Sequence, residues 1–414
     1  MKIIRGVVKT LAILLLITCA ATFTAVYSLS ETLPNSYMVT GDKPLEIMGK
    51  LPVLADGFDA RSASAQSHQT AASGYDVSLK IFGIVPIKSA KVEVVDELYV
   101  ATSGAPFGVK LYTSGVMVVG LSEVQTKDGK KNPADDAGII KGDNIVTVDG
   151  STVASNEAVA AVIERAGGRS VKVVLMREGE ELVKTLTPVL CASEGVYKAG
   201  LWVRDSSAGI GTLTFYSPAL DMVTGLGHGI CDTDTGALLP LGGGEIVSAK
   251  IFDLQKSTPG VPGELKGRFL DDVIGTLMKN CEAGIYGSGG KYIIQENLVR
   301  IAMKQEVYTG EAQIITTIDA EGPKRYNCVI ENVHFNNDNL TQNMIINVTD
   351  KNILTKSGGI VQGMSGSPII QNGKLVGAIT HVFVGDPTRG YGIFAETMYN
   401  MAIKVEEEYS NIAS

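Results

Sequence analysis

The chain has 414 residues, 45% of them hydrophobic and 19% charged, which gives room for two or three domains that each bury a core. Its 36 basic against 44 acidic residues leave a net charge of −8, and no basic patch is interleaved with aromatics, which argues against nucleic acid as the main partner. The 47 glycines point to a turn-rich protein with much β-structure.

In chain order, Lys2, Arg5 and Lys9 precede an uncharged run from Leu11 to Leu29. A helix of ~20 residues crosses a bilayer, and positive charges ahead of it keep the N-terminus inside and send the rest across. Residues 1–30 are therefore read as a signal-anchor, with a cleaved signal peptide ending near Ala20, Ala21 or Ala25 as the alternative. The functional domains then lie outside the cytoplasm. Residues 31–75 are expected to be a juxtamembrane segment and flexible linker, with a short strand around Pro44–Met48. From Asp56 to Tyr75 the composition turns to Ala, Ser, Gln and Gly, which buries no core and is easily nicked. Two β-rich runs come next, Val77–Val85 and Ala90–Val100, divided at Pro86.

Residues 76–190 read as one unit with its preceding strands. Phe107-Gly108-Val109-Lys110-Leu111 alternates about a glycine, and a strand follows at Gly115–Gly120. Then come Pro133–Ile139, Lys141–Gly150, a helix over Ser155–Ala166 and a strand over Ser170–Arg177. This order resembles a PDZ domain. The resemblance implies that the loop Phe107, Gly108, Val109, Lys110 and Leu111 offers backbone N–H groups to a peptide carboxylate, the peptide adding as a strand. A module that merely packs against its neighbour is the plainer reading.

Residues 191–414 show short apolar runs between glycine-rich turns, the pattern of a sandwich or barrel pair. Asp271–Lys279 is the one internal stretch expected to be helical, and Thr397–Tyr409 reads as a closing helix. Cys19, Cys191, Cys231, Cys281 and Cys328 are widely spaced without a C-x-x-C, so neither a zinc site nor a dense disulfide framework is indicated. Gly284–Lys291 lacks P-loop spacing and Asp232–Gly236 lacks the later ligands of a calcium loop, so no cofactor or metal is expected.

The chemistry concentrates at Gly363-Met364-Ser365-Gly366-Ser367-Pro368, followed by a hairpin through Asn372-Gly373. A serine between glycines on a tight turn exposes its hydroxyl while neighbouring N–H groups converge on one spot, where an acyl-transfer oxyanion sits. The segment looks like the nucleophile turn of a chymotrypsin-like serine peptidase. Such a serine needs a base. Of four histidines, His68 falls in the linker, while His334 and His381 read as strand residues. His228, between glycines in Gly225-Leu226-Gly227-His228-Gly229-Ile230, is the candidate base. For an orienting carboxylate, spacing does not choose among Asp232, Asp234, Asp271, Asp272, Asp319 and Asp350.

Taken together, the anchor, the linker, the PDZ-like unit, the segment around His228 and Gly358–Ile370 resemble the SpoIVB peptidase family of endospore-forming bacteria along nearly the whole chain. The resemblance implies a mainly β fold with an N-terminal membrane anchor, a PDZ domain and a chymotrypsin-like double β-barrel. It implies Ser365 as nucleophile, His228 as base, Asp350 as third triad member and the N–H groups of Gly363 and Ser365 as oxyanion donors. It also implies export from the forespore into the intermembrane space, self-cleavage that releases a soluble fragment, and cleavage of a membrane-bound regulator of an intramembrane protease, leading to sigma-K activation. The alternative is a catalytically silent extracytoplasmic PDZ scaffold that binds partner tails.

Overall fold

The computed structural model describes residues 2–41, 45–47, 53–56, 74–289, 298–336 and 339–413. Helix α1, Lys2–Thr32, contains the stretch Lys9–Thr32, which is long and apolar enough to cross a membrane. None of its most apolar window is buried; its last turns meet the rest of the chain through Leu29, the Ser30 carbonyl that accepts from Lys88 Nζ and the Glu31 carbonyl that accepts from Asn336 Nδ2.

Beyond α1 the chain forms a small sheet in a region expected to be mostly linker. Strands β1 (Ser36–Thr40), β2 (Val53–Asp56), β3 (Gly74–Ile81) and β4 (Val85–Val95) lie in the order β1-β4-β3-β2. Alternation puts Tyr37, Val39, Val77, Leu79 and Val92 on one buried face. The strand expected at Pro44–Met48 is reduced, in its described part, to one bridge between Glu46 and Leu54. Asp56 ends β2 while Gly74 and Tyr75 open β3, and residues 57–73 of the expected linker lie outside the described residues.

β5 (Tyr99–Thr102) leads into the long β6 (Pro106–Leu121). After it come the hairpin β7 (Val124–Thr126) and β8 (Gly129–Lys131), the short helix α2 (Pro133–Asp136), β9 (Asn144–Val148) and β10 (Ser151–Thr152). Helix α3 (Asn156–Ala166), β11 (Val171–Arg177), β12 (Glu180–Leu186), β13 (Val189–Leu190) and β14 (Tyr197–Lys198) complete the series. Only the distal half of β6 joins these elements: Val116 and Met117 pair with β9, and the sheet continues through β11 to β12. The Ser155 side chain caps α3 by accepting from Ala158 N, and Gly167 ends it in the left-handed conformation. Its inner face buries Val159, Val162, Ile163 and Ala166 against Val116, Ile145 and Leu175. This is the PDZ-like unit.

β15 (Leu201–Ser217) then returns antiparallel along β6, from Leu201 opposite Leu121 to Thr212 opposite Pro106. With β16 (Met222–Gly225), β17 (Leu241–Gln255), β18 (Glu264–Cys281) and β19 (Gly284–Gly289) it closes a ring, β6-β17-β18-β19-β16-β15. The proximal half of β6 is therefore a barrel strand, and the PDZ-like unit is an insertion between the first two strands of that barrel. This corrects the boundary expected at residue 190. It also removes the carboxylate-binding role expected of Phe107, Gly108, Val109, Lys110 and Leu111. Both edges of that stretch are taken, by β15 on one side and β17 on the other, so no peptide strand can add there. Phe107, Val109 and Leu111 instead fill the barrel core with Leu213, Val223, Ile246 and Ile285. The helix expected at Asp271–Lys279 is part of β18, because cross-strand pairing to β17 and β19 overrides its local pattern.

After β20 (Val299–Arg300), a second barrel is built from β21 (Gly310–Thr316), β22 (Lys324–Val333), β23 (Met344–Val348), β24 (Pro368–Gln371), β25 (Lys374–Phe383) and β26 (Asp386–Phe394). It closes in the order β21-β22-β23-β26-β25-β24. Between β23 and β24 lies helix α4 (Lys351–Ser357), and the chain ends in α5 (Ala395–Ala413), which packs through Met398, Tyr399, Ala402 and Val405. All five cysteines are free thiols.

Candidate active site

The turn at residues 363–368 sits between the two barrels. Gly366 has φ +93°, and a Cβ there would stand 2.0 Å from the Thr212 carbonyl oxygen and 2.5 Å from Leu226 N, so only glycine fits. The first barrel stitches the turn in place: Thr212 N donates to Ser365 O (3.0 Å), Thr212 Oγ1 to Gly363 O (2.7 Å) and Thr214 Oγ1 to Gly366 O (2.7 Å). Within the turn, Met364 N, Gly366 N and Ser367 N donate to the carbonyls of Val361, Ile379 and Met364. The N–H groups of Gly363 and Ser365, two alternate amides of the turn, are thus left without an acceptor among the described residues. Ser367 is buried, its hydroxyl donating to Thr316 Oγ1 and Met364 O, and is not available as a nucleophile.

His228 follows β16 by way of Leu226 and Gly227, both at positive φ (66° and 68°), which folds its ring toward the second barrel. The Asn280 side chain fixes the exit, accepting from Ile230 N and donating to the carbonyls of Ile230 and Leu239. His228 Nδ1 lies 2.8 Å from the Gly229 carbonyl oxygen. A carbonyl only accepts, so Nδ1 carries the proton and Nε2 is left as the base. Burial pushes the His228 pKa down, with the Gly229 carbonyl opposing. The ring is therefore neutral near pH 7, the form a general base requires.

Ser365 and His228 line one cavity of ≈ 400 Å³. The Ser365 hydroxyl donates to the Thr380 carbonyl at 2.7 Å and not to His228. His381, expected to be an ordinary strand residue, also lines this cavity, with its ring centroid 4.7 Å from that of His228. Burial and the neighbouring His228 lower its pKa to about 4. Its place on β25, the second strand of the hairpin after the nucleophile, was the signal that could have found it.

Asp350 is not brought to the imidazole. It caps α4, one carboxylate oxygen accepting from Asn352 N (2.9 Å) and the other from Asn327 N (3.3 Å). Asp232 and Asp234 hold the turn after His228 and pair with Arg204. Asp319 pairs with Lys356 and Lys324. Asp271 and Asp272 lie on β18. His68 lies outside the described residues, and His334 follows the end of β22. Among the described residues no group of three or more His, Cys, Asp or Glu is placed to hold a metal ion.

A second cavity, of ≈ 490 Å³, lies in the PDZ-like unit between α3 (Asn156, Val159, Ala160, Ile163) and the start of β15 (Leu201, Trp202, Val203). That end of β15 pairs with β6 along one edge, and no strand pairs with its other edge among the described residues. At the groove's end Tyr197 N donates to the Glu164 carboxylate.

Residues 195–399 match the family Peptidase_S55, described as SpoIVB peptidase S55. Among solved structures, the chain is similar to the PDZ domain of the SdrC-like protein (Lmo2051) from Listeria monocytogenes, at 22% identity over 22% of this chain and 87% of that one (TM-score 0.18). It is also similar to the active form of Rv3671c protease from M. tuberculosis, at 14% identity over 48% and 74% (TM-score 0.28). A third is the HtrA-type protease AlgW with decapeptide, at 15% identity over 49% and 55% (TM-score 0.26). No curated protein matches.

Proposed function

We propose that this serine endopeptidase of the SpoIVB peptidase S55 family works through Ser365 as nucleophile and His228 as base. The observation that carries the reading is that both side chains line one cavity beside the two free amides of Gly363 and Ser365. Ser365 Oγ releases the Thr380 carbonyl and attacks the substrate carbonyl carbon while its proton passes to His228 Nε2. The oxyanion forms against the N–H groups of Gly363 and Ser365. The C–N bond then breaks, His228 returns the proton to the departing amine, and water activated by the same base hydrolyses the acyl-enzyme.

Gly229 fixes the imidazole tautomer but carries no charge to stabilise the imidazolium. Asp350 is the carboxylate proposed for that task, and it must leave its cap on α4 to perform it. Those cap bonds to Asn352 N and Asn327 N are what it has to give up.

The biological setting is proposed from the family. The apolar α1 anchors the protein with its folded part outside the cytoplasm, in the space between forespore and mother cell. There it processes itself and cleaves a membrane-bound regulator of an intramembrane protease, leading to sigma-K activation. The groove between α3 and Leu201–Val203 takes the tail of a protein partner by strand addition, in place of the Phe107–Leu111 loop.

A serine-reactive phosphonate probe tests the reading. Labelling of the full chain that disappears in Ser365→Ala supports it. Absence of labelling would leave a catalytically silent scaffold that binds partner tails.

A further inference from the structure

We propose that the cavity beside His228 is the subsite for the substrate residue immediately after the scissile bond, and that it selects an uncharged, apolar side chain. The proposal rests on the catalytic assignment above and names the substrate class of that same site.

The general acid sets the direction. His228 has to hand its proton to the departing amine, so the leaving half of the substrate lies over the imidazole. The cavity brackets that ring: Leu226 precedes it, Ile230 and Cys231 follow it, and Val109 and Ile210 close the far wall from β6 and β15. At ≈ 400 Å³ the space falls within the range of ligand pockets, about 300–1,000 Å³, and is ample for one side chain.

No Asp, Glu, Lys or Arg is among the lining residues. A charged side chain entering here would lose its water without gaining a partner, whereas an apolar one is transferred favourably. The two imidazoles do not change this, since burial favours their neutral forms.

Gly209 lines this pocket and also the adjoining cavity that carries Glu264 and Lys266. A Cβ built on it meets nothing within 4 Å, while one on Gly211, two residues along the same face of β15, would run to 2.1 Å from the Leu226 side chain. Gly209 is not at positive φ. A side chain there occupies the cavity without straining the strand.

The test uses the full chain in detergent micelles, a complex peptide library, and mass-spectrometric identification of the new N-termini, with Ser365→Ala as blank. The wild type is expected to leave Leu, Ile, Val, Met or Phe at the new N-terminus, with Asp, Glu, Lys and Arg depleted at least about tenfold. Gly209→Leu, whose melting temperature reports an intact fold, is expected to shift the ratio of large to small residues at that position about tenfold or more toward Ala, Ser and Gly, the scale on which one or two methylenes are discriminated. Gly209→Asp is expected to admit Lys and Arg. A wild-type profile that is flat or charged at that position, or one unmoved by Gly209→Leu, overturns the proposal. Absence of any Ser365-dependent cut overturns the catalytic assignment, and the proposal with it.

Discussion

Ser365→Ala separates chemistry from structure cleanly. The substitution removes one hydroxyl whose only bond is donated to the Thr380 carbonyl at 2.7 Å. An intramolecular hydrogen bond of this kind is worth ~0.5–1.5 kcal/mol, and Ala leaves the backbone bonds of the turn untouched. In a domain of barrel-pair size, 1 kcal/mol moves the melting temperature by roughly 2–4 °C, so a shift of roughly 1–6 °C is expected. The catalytic loss is of another order: removing the nucleophile of a serine triad costs on the order of 10⁶ in kcat. His228→Ala should cost nearly as much, and the double variant little more, because nucleophile and base act as one unit. Cleavage followed by mass spectrometry beside a thermal melt reads both quantities on one preparation. Ser365→Ala retaining turnover within about tenfold of wild type would refute the reasoning, whereas Ser367, buried and doubly bonded, offers no rescue.

Asp350→Asn should leave the melting temperature unchanged, since Asn caps a helix as well as Asp, while turnover falls strongly; unchanged turnover would confine Asp350 to its cap on α4. The pKa of His228 is lowered, so its neutral form persists below the usual histidine value of 6.5 and the base is lost only as pH falls through the lowered value. Activity is therefore expected to be flat across neutral pH and to fall on acidification with its inflection below 6.5, and a kcat/KM profile with an inflection at or above 6.5 contradicts this. Gly108→Asp should destabilise the first barrel, because a Cβ there stands 2.5 Å from the Phe269 ring and 2.8 Å from Val247. Ala160→Glu, on the exposed side of α3, should instead weaken partner-tail binding with the melting temperature preserved. Isothermal titration with partner-tail peptides beside thermal melts checks the pair, and the reverse pattern would return tail binding to Phe107–Leu111.

The elements legible in the sequence were those whose signal is local. Ser155 and Gly167 announce both ends of α3, the Asn372-Gly373 turn announces the hairpin β24–β25, and an uncharged run announces α1. The two segments that meet at one cavity were also marked locally, by Gly227 and Gly229 around His228 and by Gly363 and Gly366 about Ser365. The misplaced features are those decided by partners far along the chain. Phe107–Leu111 reads identically as a PDZ loop or a barrel strand until β15 and β17 occupy its edges. Asp271–Lys279 looks helical until β17 and β19 claim it. Residues 36–40 and 53–56 read as linker because each strand is too short to show its period without the β3–β4 pair it leans on. His381 is marked in the sequence by nothing but its place on the hairpin strand after Ser365, and the closure of the second barrel brings it beside His228.

The insertion changes what the PDZ-like unit can do for the site. A domain hung on a flexible linker concentrates its cargo near an active site without orienting it. Here both crossings are strands: β6 leaves the barrel and β15 re-enters it, paired with each other from Leu201 to Arg204 and from Ser206 to Thr212, with a register shift at Trp202/Val203 and a longer break at Arg204/Ser206, where residues 113–116 of β6 have no partner on β15. β15 borders the tail groove at Leu201–Val203 and the catalytic cavity at Ser207 and Gly209–Gly211. Val203 and Ser207 are four residues apart, which along an extended strand is about 13 Å. On the tail-binding reading proposed above, a partner whose tail adds to the free edge of β15 would be held within a few residues' reach of Ser365. On the same reading, the unit would aim a bound chain, and the register shifts between the two cavities are the places where that aim would be adjusted.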